Sequence, residues 1–132
     1  MMTRETDYAI RIAVFLARQY KCETGVSSAD VALNTQAPYR FLRKIVRRMA
    51  AAGLVESTRG RGGGLRLKRA PRTISLLDIV TVMGASGVKL SLCLTRPGGC
   101  SRATRCRVHR ELQSVQDVVD KRLQALTLDR LA

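Results

Sequence analysis

The sequence predicts a mainly α-helical chain with one small β-hairpin, and three observations predict it. Apolar residues recur at spacings of three and four through N-terminal, middle and C-terminal segments. After Gly53 that period changes, in "LVESTRGRGGGLRLKR", Leu54 to Arg69, where short β-like runs flank a glycine-rich tip. A chain of 132 residues supports one real core but not two, so the elements must share it.

From Thr6 to Tyr20, Ala9, Ile10, Ala13, Leu16 and Ala17 mark an amphipathic helix that Thr3 or Thr6 can cap. After Gly25, "SSADVALN" opens on an N-cap serine and gives a short second helix, Ser28 to Leu33. The segment "APYRFLRKIVRRMAAAG" starts with Pro38 in a favoured first-turn position and stops at Gly53. On a helical wheel Arg40, Arg43, Lys44, Arg47 and Arg48 share an arc of about 140°, opposite Phe41, Leu42, Ile45, Val46 and Met49. One face is core and the other is a basic stripe. In the hairpin that follows, glycines permit the positive φ angles of a tip carrying Arg59 and Arg61.

Pro71 then breaks the chain, and Ser75 can cap "LLDIVTVMG", a helix ending near Gly84. Residues 85–105, rich in Gly, Ser and Arg, read as an irregular loop. From Cys106 to Leu126 one long helix presents Val108, Leu112, Val115, Val119, Leu123 and Leu126 as an apolar stripe. The order of helix, short helix, basic helix and hairpin is that of a winged helix-turn-helix. It divides the chain into a DNA-binding domain (1–84), a cysteine-rich loop (85–105) and a long helix with its tail (106–132).

The 24 Lys and Arg against 10 Asp and Glu give a formal charge of +14, which directs attention to nucleic acid. In a helix-turn-helix the second helix enters the major groove. Ser28 would then begin the supporting helix, while Pro38, Tyr39, Arg40, Arg43 and Lys44 lie near the start of the recognition helix. Arg40, Arg43 and Lys44 are expected at base edges and Arg47 and Arg48 at phosphate. Tyr39 serves either a phosphate hydrogen bond or packing, and Arg59 and Arg61 reach phosphate or a narrow minor groove. Solubility alone explains the stripe poorly, because like charges four apart on a helix repel.

In "CLTRPGGCSRATRCRVH", three cysteines and the chain's sole histidine occupy residues 93–109. Six residues separate Cys93 from Cys100 and five separate Cys100 from Cys106; His109 follows Cys106 by one helical turn. Three thiolates and an imidazole suit an iron-sulfur cluster or zinc. Zinc is disfavoured by the absence of a short C-x2-4-C turn. Arg96, Arg102, Arg105 and Arg107 would stabilise either an anionic cluster or oxidisable thiolates, and do not choose between them. Cys22 stands apart as a loop or core thiol.

Together, "TRETDYAIRIAVFLA", "RGRGGGLRLKRAP", "ISLLDIV" and the three-cysteine loop resemble the winged-helix transcription regulators typified by IscR, NsrR and RirA, over almost the whole chain. The resemblance implies a homodimer in which the long last helix crosses the partner, and an iron-sulfur cluster on Cys93, Cys100 and Cys106. In IscR-like members a histidine at the position of His109 completes a 2Fe-2S cluster; in NsrR-like members an early aspartate from the partner subunit, here Asp7, completes a 4Fe-4S cluster. The 2Fe-2S form is favoured. Asp7 also suits the first turn of any helix, and His109 a helix surface.

The expected function is a cluster-dependent regulator, most simply a repressor, sensing redox state, nitric oxide or iron, and binding a roughly palindromic site in double-stranded DNA. A cluster-free thiol sensor on the same scaffold is the alternative. No nucleophile-base pair or phosphate loop points to an enzyme. The N-terminus lacks the pattern of a secretory signal and no apolar run approaches membrane-spanning length, so a cytoplasmic protein without membrane contact is expected.

Overall fold

The computed structural model describes residues 2–84, 87–95, 98 and 100–132. Helix α1 (Arg4–Arg18) is capped by Thr3, whose hydroxyl accepts the Thr6 amide at 3.2 Å; Thr6, the other candidate cap, is instead buried within the helix. Ala9, Ile12, Ala13 and Leu16 face inward, whereas Ile10, expected in the core, is only half-buried.

Helix α2 (Ser28–Thr35) is capped by Ser27, and Gln36 leads into α3 (Tyr39–Ala51). Gln36 adopts φ 54°, and its amide closes α2 onto the Ala32 and Leu33 carbonyls. Pro38 stands one residue outside α3 as its N-cap rather than in its first turn, and its carbonyl accepts the Phe41 and Leu42 amides.

Strands β1 (Val55–Thr58) and β2 (Gly64–Leu67) pair antiparallel, with Val55 opposite Leu67 and Thr58 opposite Gly64. Val26, between α1 and α2, exchanges hydrogen bonds of 2.7 and 2.9 Å with Leu65. The wing is thereby stitched to the helical body. A Cβ on Gly63 would lie 2.5 Å from the Thr58 carbonyl oxygen, and one on Gly64, at φ 132°, 2.6 Å from that of Val26. These glycines are needed for close backbone approach as well as for turning.

A single 3₁₀ turn at Pro71–Thr73 precedes α4 (Leu76–Met83), which Ser75 and Asp78 hold with a reciprocal capping box. Helix α5 (Arg107–Ala125) packs on α4. Its apolar stripe is divided: Leu112, Val119, Leu123 and Leu126 are half-buried, while Val108 and Val115 are exposed, as is Val118 outside the stripe. A short α6 (Leu128–Leu131), absent from the periodicity, folds back onto α1 and the 3₁₀ turn. The Leu76 amide donates to Leu126 and the Leu128 amide to Ile74, both at 2.9 Å. Leu128 thereby joins Ile12, Leu16, Leu42, Ile45, Met49, Leu65 and Ile79 in one core. No helix among the described residues is long and apolar enough to cross a membrane.

Candidate nucleic-acid interface and metal centre

Burial of Leu42, Ile45 and Met49 fixes the rotation of α3 and turns Arg40, Arg43, Lys44 and Arg47 to solvent, with Arg48 half-buried. These five form one basic surface along α3, ending beside Ala51. The cations are not equivalent. Glu5 of α1 accepts from Lys44 Nζ at 2.7 Å and lies 3.9 Å from Arg48, while the Arg40 guanidinium sits 4.9 Å over its neighbour Phe41's ring. Among the described residues, Arg40, Arg43 and Arg47 meet no carboxylate, and neither do Arg59 and Arg61 on the exposed wing tip.

Of the polar residues expected beside this face, Tyr39 is 55% exposed and is not core. Pro38 is exposed at the head of α3, and Ser28 is half-buried as the first residue of α2.

The cysteine loop is not wholly irregular: Cys93 lies in a 3₁₀ turn (Leu92–Leu94), its Sγ 3.3 Å from Ser91 Oγ. Cys100 is half-buried. Cys106 is the N-cap of α5, and its Sγ accepts the His109 amide at 3.4 Å. The imidazole of His109 therefore starts one turn from a thiol, as the spacing implied. Its Nδ1 is buried with no hydrogen-bond partner among the described residues, although buried polar atoms are nearly always satisfied. In donor type the set fits a cluster: three free thiols and an imidazole nitrogen that no described residue hydrogen-bonds.

Among the described residues no three His, Cys, Asp or Glu side chains come close enough together to share one metal ion. Arg96, Pro97 and Gly99 of the loop lie outside the described residues. Asp7 is exposed in the first turn of α1 and pairs with Arg11 at 2.8 Å. Cys22 is exposed beside Gln19, well separated in sequence from the loop.

Sequence reasoning overlooked Gln116. It is fully buried on α5, donates from Nε2 to the Val88 carbonyl and Asp120 Oδ1, each at 2.8 Å, and accepts the Leu90 amide at 2.9 Å. Lys89 adds a contact to Asp120 at 3.4 Å. The limb of chain leading to Cys93 is thus tied to the middle of α5. The available signal was a lone glutamine at helical spacing between Leu112 and Val119.

A family model described as Rrf2, iron-dependent transcriptional regulator, matches residues 2–132. The chain belongs to the Rrf2 family. It is similar to the HTH-type transcriptional repressor NsrR of Streptomyces coelicolor, with 29% identity over 130 residues, covering 98% of this chain and 86% of that protein. Among solved structures it resembles IscR of T. potens at a TM-score of 0.77 and 23% identity, over 99% of this chain and 85% of that one, a likeness that bears on the fold. CymR, the global cysteine regulator of B. subtilis, superposes at a TM-score of 0.72 with 27% identity, over 100% and 95%. As a Rrf2 protein this chain is a winged-helix transcriptional regulator, and the family is one of regulators rather than enzymes.

Proposed function

We infer that this protein is a homodimeric DNA-binding regulator, most simply a repressor, whose grip on a roughly palindromic operator depends on an iron-sulfur cluster in the 85–105 loop. The unpaired arginines of α3 and the wing tip support the DNA reading. Arg43 and Arg40 suit base edges, where a guanidinium can make two parallel hydrogen bonds to guanine, and Arg47, Arg59 and Arg61 suit phosphate. The exposed Val108, Val115 and Val118 on α5 support pairing with a second copy.

The buried Nδ1 of His109, without a hydrogen-bond partner among the described residues, is the observation that carries the cluster reading. Cys93, Cys100 and Cys106 would hold the group, with His109 completing a 2Fe-2S cluster; Asp7 of a second copy completing a 4Fe-4S cluster is the other arrangement. When bound, such a cluster supplies a centre labile to oxidants, nitric oxide and iron supply. The chain's own residues then relay the change. Cys106 is at once a candidate ligand and the cap of α5, and Gln116 couples the Cys93 limb to the same helix. Rearrangement of the loop therefore acts on α5, the element expected to set the spacing of two recognition helices.

A second reading, cluster-free thiol sensing by the same cysteines in the cytoplasm, is favoured by the ungathered thiols and by the likeness to a cysteine regulator. Visible absorption with iron and sulfide analysis of protein purified without oxygen separates the two. A coloured protein that bleaches in Cys100→Ala supports the cluster, and His109→Ala beside Asp7→Ala identifies the fourth ligand. A colourless chain that resists reconstitution favours the thiol sensor.

A further inference from the structure

Glu5 is the acidic side chain that, among the described residues, reaches the basic face of α3. Its position is set by the body of the protein: it lies in the first turn of α1, a helix capped by Thr3 and packed through Ala9 and Ile12. Its side chain is only 24% exposed, whereas that of Lys44 is 57% exposed. The flexible member of the pair is therefore Lys44, whose stem is directed back towards α1. Arg48 is drawn the same way more weakly, at 3.9 Å. Arg40, Arg43 and Arg47 stay outside this pairing.

The two kinds of cation serve different purposes at DNA. A lysine ammonium is a point charge suited to any phosphate, while arginine reads guanine through its planar fork. Phosphate contacts strengthen binding to every sequence and steepen its salt dependence by about 0.9 in log-log slope for each phosphate neutralised. We propose that Glu5 is a specificity-determining residue of the DNA interface: it withholds Lys44 from phosphate, so that recognition rests on the arginines. This inference depends on the DNA-binding reading above.

The test uses wild type, Glu5→Gln, Lys44→Ala and the double variant, all purified without oxygen. Each is titrated with a duplex selected by the wild type from a random pool and with a shuffled duplex of the same composition, from about 50 to 200 mM salt. Glu5→Gln should steepen the slope on shuffled DNA by about 0.9 and strengthen binding there several-fold, lowering the preference for the selected duplex. Lys44→Ala should leave the slope unchanged in the wild-type background and reduce it by about 0.9 in the Glu5→Gln background. That asymmetry is specific to a restrained lysine, since loss of the Glu5 charge alone would not produce it.

An equal effect of Lys44→Ala in both backgrounds, or an unchanged slope in a Glu5→Gln protein with native circular dichroism, overturns the proposal. If Glu5→Gln does not fold, Glu5→Ala replaces it in the same four-protein comparison, and a full drop in slope for Lys44→Ala alone overturns the role of Glu5. A wild type that binds neither duplex at the lowest salt overturns the DNA-binding reading itself and the Glu5 role with it.

Discussion

Replacing Gln116 with Leu tests whether the limb leading to the cysteines is fastened to α5 as described. Leucine nearly matches the volume of glutamine but removes the acceptor of the Leu90 amide and the donor to the Val88 carbonyl, at 2.9 and 2.8 Å. Asp120 loses a partner too, but it is part-exposed and keeps Lys89, so it costs little. Two backbone hydrogen bonds at a net value near 1 kcal/mol each give about 2 kcal/mol. The cheapest response is local: the 87–90 limb lifts into water and leaves the core of α1, α3 and α4 intact. Two kcal/mol favours that opening by about 30-fold. Native-state hydrogen exchange at the Leu90 amide should accelerate by that factor, while exchange at core amides such as Ile45 stays within about twofold. Unchanged exchange at Leu90 would refute the fastening; equal acceleration everywhere would refute its local character.

Leu128→Ala should destabilise the whole protein by about 3–4 kcal/mol in urea denaturation, because the side chain is fully buried in the shared core; a loss under about 1 kcal/mol would mean α6 contributes no core. For Gly64→Ala, a Cβ 2.6 Å from the Val26 carbonyl oxygen at φ 132° predicts a loss of at least about 2 kcal/mol and weaker DNA binding with helical circular dichroism retained. Arg43→Ala should relax base preference at one position by about 1–3 kcal/mol, whereas Arg47→Ala should weaken all duplexes alike and flatten the salt slope by about 0.9. Equal losses for both variants on selected and shuffled DNA would remove that division.

The elements with long periodic patterns were legible because burial alone decides them. The rotation of α3 followed from the alternation of arginines with Leu42, Ile45 and Met49, and the wing followed from its glycines. Helix α6 was not legible, since four residues are too few to show a period and its place depends on backbone bonds to Ile74 and Leu76, distant in sequence. Gln116 was hidden for a related reason: a polar residue on an apolar stripe gains meaning only when Val88 and Leu90 arrive beside it. Sequence placed Lys44 with the arginines because a helical wheel contains one helix, whereas its partner Glu5 belongs to another. The thiol spacing and the Cys106-to-His109 turn were readable; the satisfaction state of the imidazole was not, because it depends on everything packed around it.

The return of the chain after α5 has a mechanical consequence. With Leu126 and Leu128 hydrogen-bonded to Leu76 and Ile74, the far end of α5 is pinned at the start of α4, while its near end begins at Cys106. Nineteen residues at 1.5 Å each make a rod of about 28 Å, hinged at one end and handled at the other. A 2 Å displacement of the Cys106 end turns such a rod through about 4°. Under the proposed function, rotation about that pinned end, rather than translation, is the motion expected to carry a change at the thiols to the rest of the molecule.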